Sequence, residues 1–294
     1  MSYVLKAEGI SRRVKDFQIL KDVSFELKRG EIVGLIGPNG AGKTSIMKIL
    51  VGLTRNYTGK VFLEGVSDIG SMIETPNFYP YETGYGNLMY FAGLNGVKPK
   101  KVEELLDLLG LMDAANRNVK AYSLGMRQRL GLAMSLLSKP EIMVLDEPIN
   151  GLDPEGILDI RKMLAELAAK ENMTILISSH ILKELSALCT DYAIVREGTL
   201  IEELSAEELL AKTRSYVVMA TNDINRTTAV LEEKLGIHEY KVTYDNEILI
   251  YERLDEIETL SKTVTDSGLI ITRLNPEGES LEEYYIGKVG GDNE

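Results

Sequence analysis

The 294-residue chain has a single cysteine, Cys189, so an intrachain disulfide is excluded and a reducing compartment fits. Cys189 itself reads as a small buried apolar residue. Tryptophan is absent, no low-complexity tract occurs, and the composition is otherwise that of a globular protein. No apolar run approaches the roughly 20 residues of a spanning helix. The opening Met1-Ser2-Tyr3-Val4-Leu5-Lys6 lacks the charged-then-apolar pattern of an export signal. Nothing is therefore expected to cross a bilayer. A basic excess is missing too, because 33 Lys and Arg stand against 45 Asp and Glu, for a formal charge of −12. That sign repels a phosphate backbone and no Lys/Arg stripe offsets it, so nucleic acid is not an expected partner.

What is present suffices for a large domain and a small one, expected at residues 1–213 and 214–294. In the first, short apolar runs alternate with helical patterns, as in a largely parallel α/β core. Strands are expected at Ile32–Ile36, Lys60–Leu63, Ile142–Leu145, Thr174–Ser178 and Tyr192–Arg196, with the Ile, Val and Leu content of strands covered on both faces. Helices are expected at Thr44–Gly52, Pro99–Leu109, Gly125–Leu137, Pro154–Lys170 and Ile181–Leu188. The stretch Asn56–Asn95, dense in Gly, Pro, Tyr and Asn, reads as irregular and surface-exposed. After Thr213 the order is strand Ser215–Ala220, helix Asp223–Leu235, strands Tyr240–Tyr244 and Glu247–Glu252, helix Leu254–Ser267 and strand Leu269–Leu274. This β-α-β-β-α-β order predicts a small α+β ferredoxin-like domain, followed by a short helix, Ser280–Ile286, and a tail, Gly290–Glu294.

Two motifs carry chemistry. Directly after the Ile32–Ile36 strand stands Gly37-Pro38-Asn39-Gly40-Ala41-Gly42-Lys43-Thr44, a G-x4-G-K-T loop between strand and helix. Its glycines let backbone N–H groups turn toward a triphosphate at the positive end of the following helix. Lys43 is placed to reach the β- and γ-phosphates, Thr44 to offer a hydroxyl to Mg²⁺, and Ser45 to add a phosphate contact. The second motif, Ile142-Met143-Val144-Leu145-Asp146-Glu147-Pro148, is an apolar strand ending in paired carboxylates. Asp146 is expected in the Mg²⁺ shell, and Glu147 beyond the strand end as the base for an attacking water. Together they predict a P-loop NTPase that binds a nucleoside triphosphate with Mg²⁺.

Between these anchors, Tyr122-Ser123-Leu124-Gly125-Met126-Arg127-Gln128-Arg129-Leu130 resembles the signature sequence of ABC ATPases, departing from L-S-G-G-Q at Tyr122, Leu124 and Met126. The resemblance spans about residues 3–212 and implies the ABC ATPase fold with a helical subdomain. It implies that Ser123 and Gly125 meet the nucleotide of a second subunit in a head-to-tail dimer, expected to be a homodimer. It also implies that Asp153, in Asn150-Gly151-Leu152-Asp153-Pro154, belongs to a loop touching the neighbouring site, and that His180 assists the water held by Glu147. In Ile69-Gly70-Ser71-Met72-Ile73-Glu74-Thr75-Pro76 the family's usual glutamine is Glu74, a carboxylate for Mg²⁺ and catalysis. That replacement resembles the lantibiotic-immunity and bacitracin-type branch of ABC exporters. Where the family stacks an aromatic ring on adenine this chain has Val14, read as a plain strand residue, with Phe17 nearby. The implied function is an ATP-hydrolysing motor on the inner face of the membrane, driving separately encoded permease subunits. The alternative is a non-transport ABC ATPase of translation or DNA repair, disfavoured by the acidic charge and the absence of a second nucleotide domain or a coiled-coil insertion.

Overall fold

The computed structural model describes residues 3–74, 76–180, 185, 188–212, 215–278 and 284, the side chains of 210–212 and 278 excepted. The chain divides into two compact units, residues 1–206 and 207–294.

The first unit opens with two long strands, β1 (Tyr3–Val14) and β2 (Phe17–Lys28), which form a hairpin and are joined across β1 by β4 (Thr58–Leu63) in a three-stranded antiparallel sheet, order β2-β1-β4. The six-stranded sheet follows the order β5-β6-β7-β3-β8-β9, from β3 (Ile32–Ile36), β5 (Ile69–Met72), β6 (Ile142–Asp146), β7 (Thr174–Ser179), β8 (Asp191–Arg196) and β9 (Thr199–Ser205). All its pairs are parallel except β8–β9, an antiparallel hairpin. Every residue of β3 and β7 is buried, as are Ile142 to Leu145 of β6. Ile32 to Ile36, Ile142 to Leu145 and Ile175 to Ile177 carry no polar alternation because both faces of a parallel sheet are covered.

Helix α1 (Lys43–Leu50) follows β3. The segment between β5 and β6 is helical, with α2 (Gly84–Leu94), α3 (Pro99–Leu108) and α4 (Leu124–Ser135), and α5 (Pro154–Glu171) leads to β7; α6 (Ala206–Lys212) follows β9 and, but for its first residue, belongs to the second unit. The main core packs Leu5, Leu20, Val23 and Leu27 of the antiparallel sheet with Leu35, Val144, Leu176 and Val195 of the parallel one and Ile46 and Met47 of α1.

Two expectations need correction. Asn56–Asn95 is not irregular, since it contains β4, β5 and α2. Lys60–Leu63 is a strand, but in β4 at the edge of the antiparallel sheet and largely exposed rather than covered on both faces. The helix expected at Ile181–Leu188 lies mostly outside the described residues, as do the C-terminal Ser280–Ile286 helix and the tail.

In the second unit β10 (Ser215–Thr221), α7 (Ile224–Leu235), β11 (Tyr240–Val242), β12 (Ile248–Ile250), α8 (Ile257–Asp266) and β13 (Ile271–Gly278) follow one another. The strands form an antiparallel sheet, order β11-β12-β10-β13. Asp223 caps α7 by accepting from the Arg226 N–H at 3.1 Å, and Gly236 ends it in the left-handed region, φ 65°, as a C-terminal glycine does. Leu231, Leu235, Leu260 and Val264 of the helices close a separate core with Val217, Met219, Ile248 and Ile250 of the sheet.

Candidate functional site

The parallel strands β3, β6 and β7 deliver their C-terminal ends to one place, where a parallel sheet presents its ligand crevice. The loop after β3 runs from buried Gly37 over exposed Pro38, Asn39 and Gly40 to buried Ala41. Gly42 precedes α1 at φ 107°, a conformation that admits only glycine comfortably. The Lys43 side chain folds back over the loop and donates to Gly37 O at 2.6 Å and Pro38 O at 3.2 Å. Burial lowers the Lys43 ammonium below its ordinary range, while Glu147 and Asp146 pull it the other way. The next hydroxyl, Thr44 Oγ1, donates to Asp146 Oδ2 at 2.8 Å. Ser45 accepts from Arg12 Nη1 at 3.4 Å.

The second oxygen of Asp146 is also engaged. Ser178 Oγ donates to Asp146 Oδ1 at 2.6 Å and accepts from the Glu147 N–H at 3.0 Å. Asp146 and Ser178 are register partners across the β6–β7 ladder, so one hydroxyl clamps both members of the carboxylate pair. In the sequence Ser178 stands only as the last residue of the expected Thr174–Ser178 strand. The signal available was that two apolar strands ended at matching polar residues.

Glu147 stands just past β6 at φ 48°, left-handed for a residue with a side chain, a strain that tends to sit at functional sites. Its carboxylate is held from two sides: Oε1 lies 3.1 Å from His180 Nδ1 and Oε2 accepts from Asn150 Nδ2 at 3.0 Å. With the Nδ1 hydrogen directed to Glu147, the His180 Nε2 atom is left for another partner. Thr44, Glu74, Asp146, Glu147 and Asn150 line one open cleft together with Leu124 and Gln128 of α4. Glu74 therefore reaches the same cleft, but its Oε1 accepts from Lys48 Nζ at 2.6 Å.

Ser123 and Asp153 both cap helices in this chain. Ser123 Oγ accepts from Met126 N–H at 3.2 Å at the start of α4, and Asp153 Oδ1 accepts from Gly156 N–H at 3.0 Å at the start of α5. Both residues are exposed, and neither lines the cleft. Gly125 packs beside Leu152, so the start of α4 and the Asn150–Asp153 loop are neighbours. Val14 ends β1 opposite Phe17, whose ring is 74% exposed at the hairpin tip.

Thr44, Asp146 and Glu74 offer hard oxygen atoms at the lip of the phosphate loop, the donor type Mg²⁺ takes. Among the described residues no group of three His, Cys, Asp or Glu side chains converges as a metal cage. No helix among the described residues is long and apolar enough to cross a membrane.

Residues 20–150 match the family model described as ABC transporter. The bacitracin transport ATP-binding protein BcrA of Enterococcus faecalis is 36% identical over 302 residues, covering 99% of this chain and 98% of that protein. The lantibiotic transport ATP-binding protein SrtF of Streptococcus pyogenes is 41% identical over 207 residues, covering 68% of this chain and 90% of that protein. Among solved structures, the dimeric MJ0796, a bacterial ABC transporter cassette, shares the fold with a TM-score of 0.64 at 22% identity, over 69% of this chain and 98% of the cassette.

Proposed function

Because the chain belongs to the ATP-binding proteins of ABC transporters, an ATPase family, we propose that the Thr44–Asp146–Glu147 cleft hydrolyses MgATP to drive peptide-antibiotic export through separate membrane subunits. The observation that carries this reading is the linked set of contacts in which Asp146 accepts from Thr44 and Ser178 while Glu147 is oriented by His180 and Asn150.

The residues divide the work. Backbone N–H groups of Gly37 to Thr44, with the α1 dipole, bind the phosphates, and Lys43 exchanges its loop carbonyls for phosphate oxygens. Thr44 and Asp146 would hold a Mg²⁺ ion entering with ATP, and Glu74 stands within the same cleft. When bound, Mg²⁺ neutralises charge on the phosphate oxygens. Glu147 takes the proton of the attacking water, and His180 keeps that carboxylate aimed. Exposed Ser123 and Asp153 and half-buried Gly125 are available to a second copy, and the site is completed by them in a head-to-tail homodimer. The chain works on the inner face of the membrane.

Two features support the substrate class: Glu74 in place of glutamine, and likeness over nearly the whole chain to a protein named for bacitracin transport. The C-terminal unit has the order β11-β12-β10-β13 with two helices in the crossovers, which supports a ferredoxin-like module. No observation favours a role in translation or DNA repair.

Glu147→Gln is the direct test. ATPase activity is expected to fall by about 10²-fold or more, the scale of a lost general base, while ATP still binds and gel filtration shows a trapped dimer. Full activity in that variant would remove Glu147 from its role. For the substrate, deleting the gene is expected to sensitise the host to bacitracin-like or lantibiotic peptides, and unchanged susceptibility across such a panel would dismiss the class.

A further inference from the structure

Glu74 adds a third carboxylate to a cleft already lined by Asp146 and Glu147. The added charge favours a cation near the cleft and repels a polyphosphate, so where it points, and what offsets it, matters to both. Lys43 is turned into the carbonyls of Gly37 and Pro38. Lys48 is the cation that meets Glu74, at 2.6 Å.

Lys48 lies in the last turn of α1, four residues beyond Thr44 and hence on the same side of the helix. One helix thus presents the Thr44 hydroxyl to Asp146 and, a turn later, grips the carboxylate of Glu74. Glu74 has φ 61°, a conformation that a residue with a side chain keeps when its surroundings hold it. The pair is half in solvent, with side-chain exposures of 29% for Lys48 and 63% for Glu74, and pairs of that kind are weak enough to exchange partners.

We propose that Lys48 is a positioning residue for Glu74: it holds this carboxylate at the rim of the cleft and competes with Mg²⁺ for it, setting the Mg²⁺ concentration at which the site operates. The proposal rests on reading the cleft as an MgATP site. The competing account is that Lys48 only steadies the C-terminal end of α1 by its charge.

The experiment compares the full-length wild type with K48Q, K48R, E74Q and K48Q/E74Q. The half-saturating Mg²⁺ concentration is measured for ATPase activity and, in a Glu147→Gln background without turnover, for binding of a fluorescent ATP analogue. K48Q is expected to lower it about threefold to tenfold, the scale of one partly screened charge, with K48R within about twofold of wild type by keeping the charge. E74Q is expected to raise it, and K48Q to have no further effect once Glu74 is gone. An equal K48Q shift in both backgrounds, or a lower melting temperature with no Mg²⁺ shift, overturns the proposal and leaves the MgATP site intact. If K48Q does not fold, E74Q decides alone, and an unmoved half-saturation overturns the proposal. Wild-type protein without Mg²⁺-dependent binding overturns the MgATP reading itself.

Discussion

At the scale of the residue, the phosphate contact proposed for Lys43 and the stability of the fold pull apart. Its ammonium is buried and held below its ordinary value of 10.5, chiefly by loss of water, against the attraction of Glu147 and Asp146. Between that lowered value and 10.5 the unfolded chain carries more protons than the folded one, so stability rises with pH across the window. At neutral pH the charge therefore works against the fold. Lys43→Met is expected to raise the melting temperature of the protein without ATP, on the order of 2–4 °C for each kcal/mol relieved. It is also expected to abolish the protection that ATP gives to wild type by binding only the folded state. Thermal melts with and without MgATP check both, and a lower melting temperature without ATP would show that the Gly37 and Pro38 hydrogen bonds outweigh the buried charge.

At the scale of the element, α4 sits hard against the segment that carries Glu74. A Cβ on Gly131 would lie 2.5 Å from Pro76 Cγ and 2.7 Å from Met72 Sδ. Alanine favours a helix interior over glycine by about 0.5–1 kcal/mol, but overpacking costs about 1–3 kcal/mol, and the rigid proline ring makes the larger figure apply. Gly131→Ala is expected to lower the melting temperature by about 2–8 °C and to change ATPase activity through Glu74; a melting temperature equal to or above wild type would refute the contact. Legibility from sequence differed among such elements for identifiable reasons. The P-loop strand was plain because Ile32–Ile36 is wholly apolar and abuts a glycine-rich loop, and Ile142–Asp146 for the same reason with two acids at its end. Helix α2 was hidden because Gly84–Leu94 holds three glycines and no clean polar face. Its start is held by a local cap, Thr83 Oγ1 accepting from Gly86 N–H and buried Asn87 donating to Tyr79 O and Thr83 O and accepting from Tyr79 N–H, and by distant bonds from Gly84 N–H to Arg117 O and Tyr85 N–H to Ala115 O. Strands β1 and β2 have mixed, half-exposed patterns, so their pairing across a register with bulges left little trace in composition. Among candidate site residues, motif spacing picks out Lys43, Thr44, Asp146 and Glu147, whereas Ser178 and Lys48 make their contacts with residues far along the chain, which no local pattern encodes.

At the scale of the whole molecule, the formal charge of −12 acts on any encounter between two copies. Like-charged chains repel over roughly a Debye length, about 10 Å at 0.1 M salt and about 30 Å at 0.01 M. The ATP-bound dimer proposed for Glu147→Gln should therefore become more populated as NaCl is raised from about 10 to about 100 mM, where that repulsion is screened. Light scattering at fixed protein concentration reads this directly, and a dimer that dissolves over the same range would mean that specific ion pairs across the interface dominate the net charge. The Ser178 hydroxyl, bonded at once to Asp146 and to the Glu147 backbone, bears on how such a motor can vary. Its aim is machined into the β6–β7 ladder, as teeth are cut into a rack, and the ladder has no setting between one tooth and the next. Adjustment of rate is left to parts bolted to the rim, such as Glu74 and Lys48, while a change at Asp146 or Ser178 strips the gear.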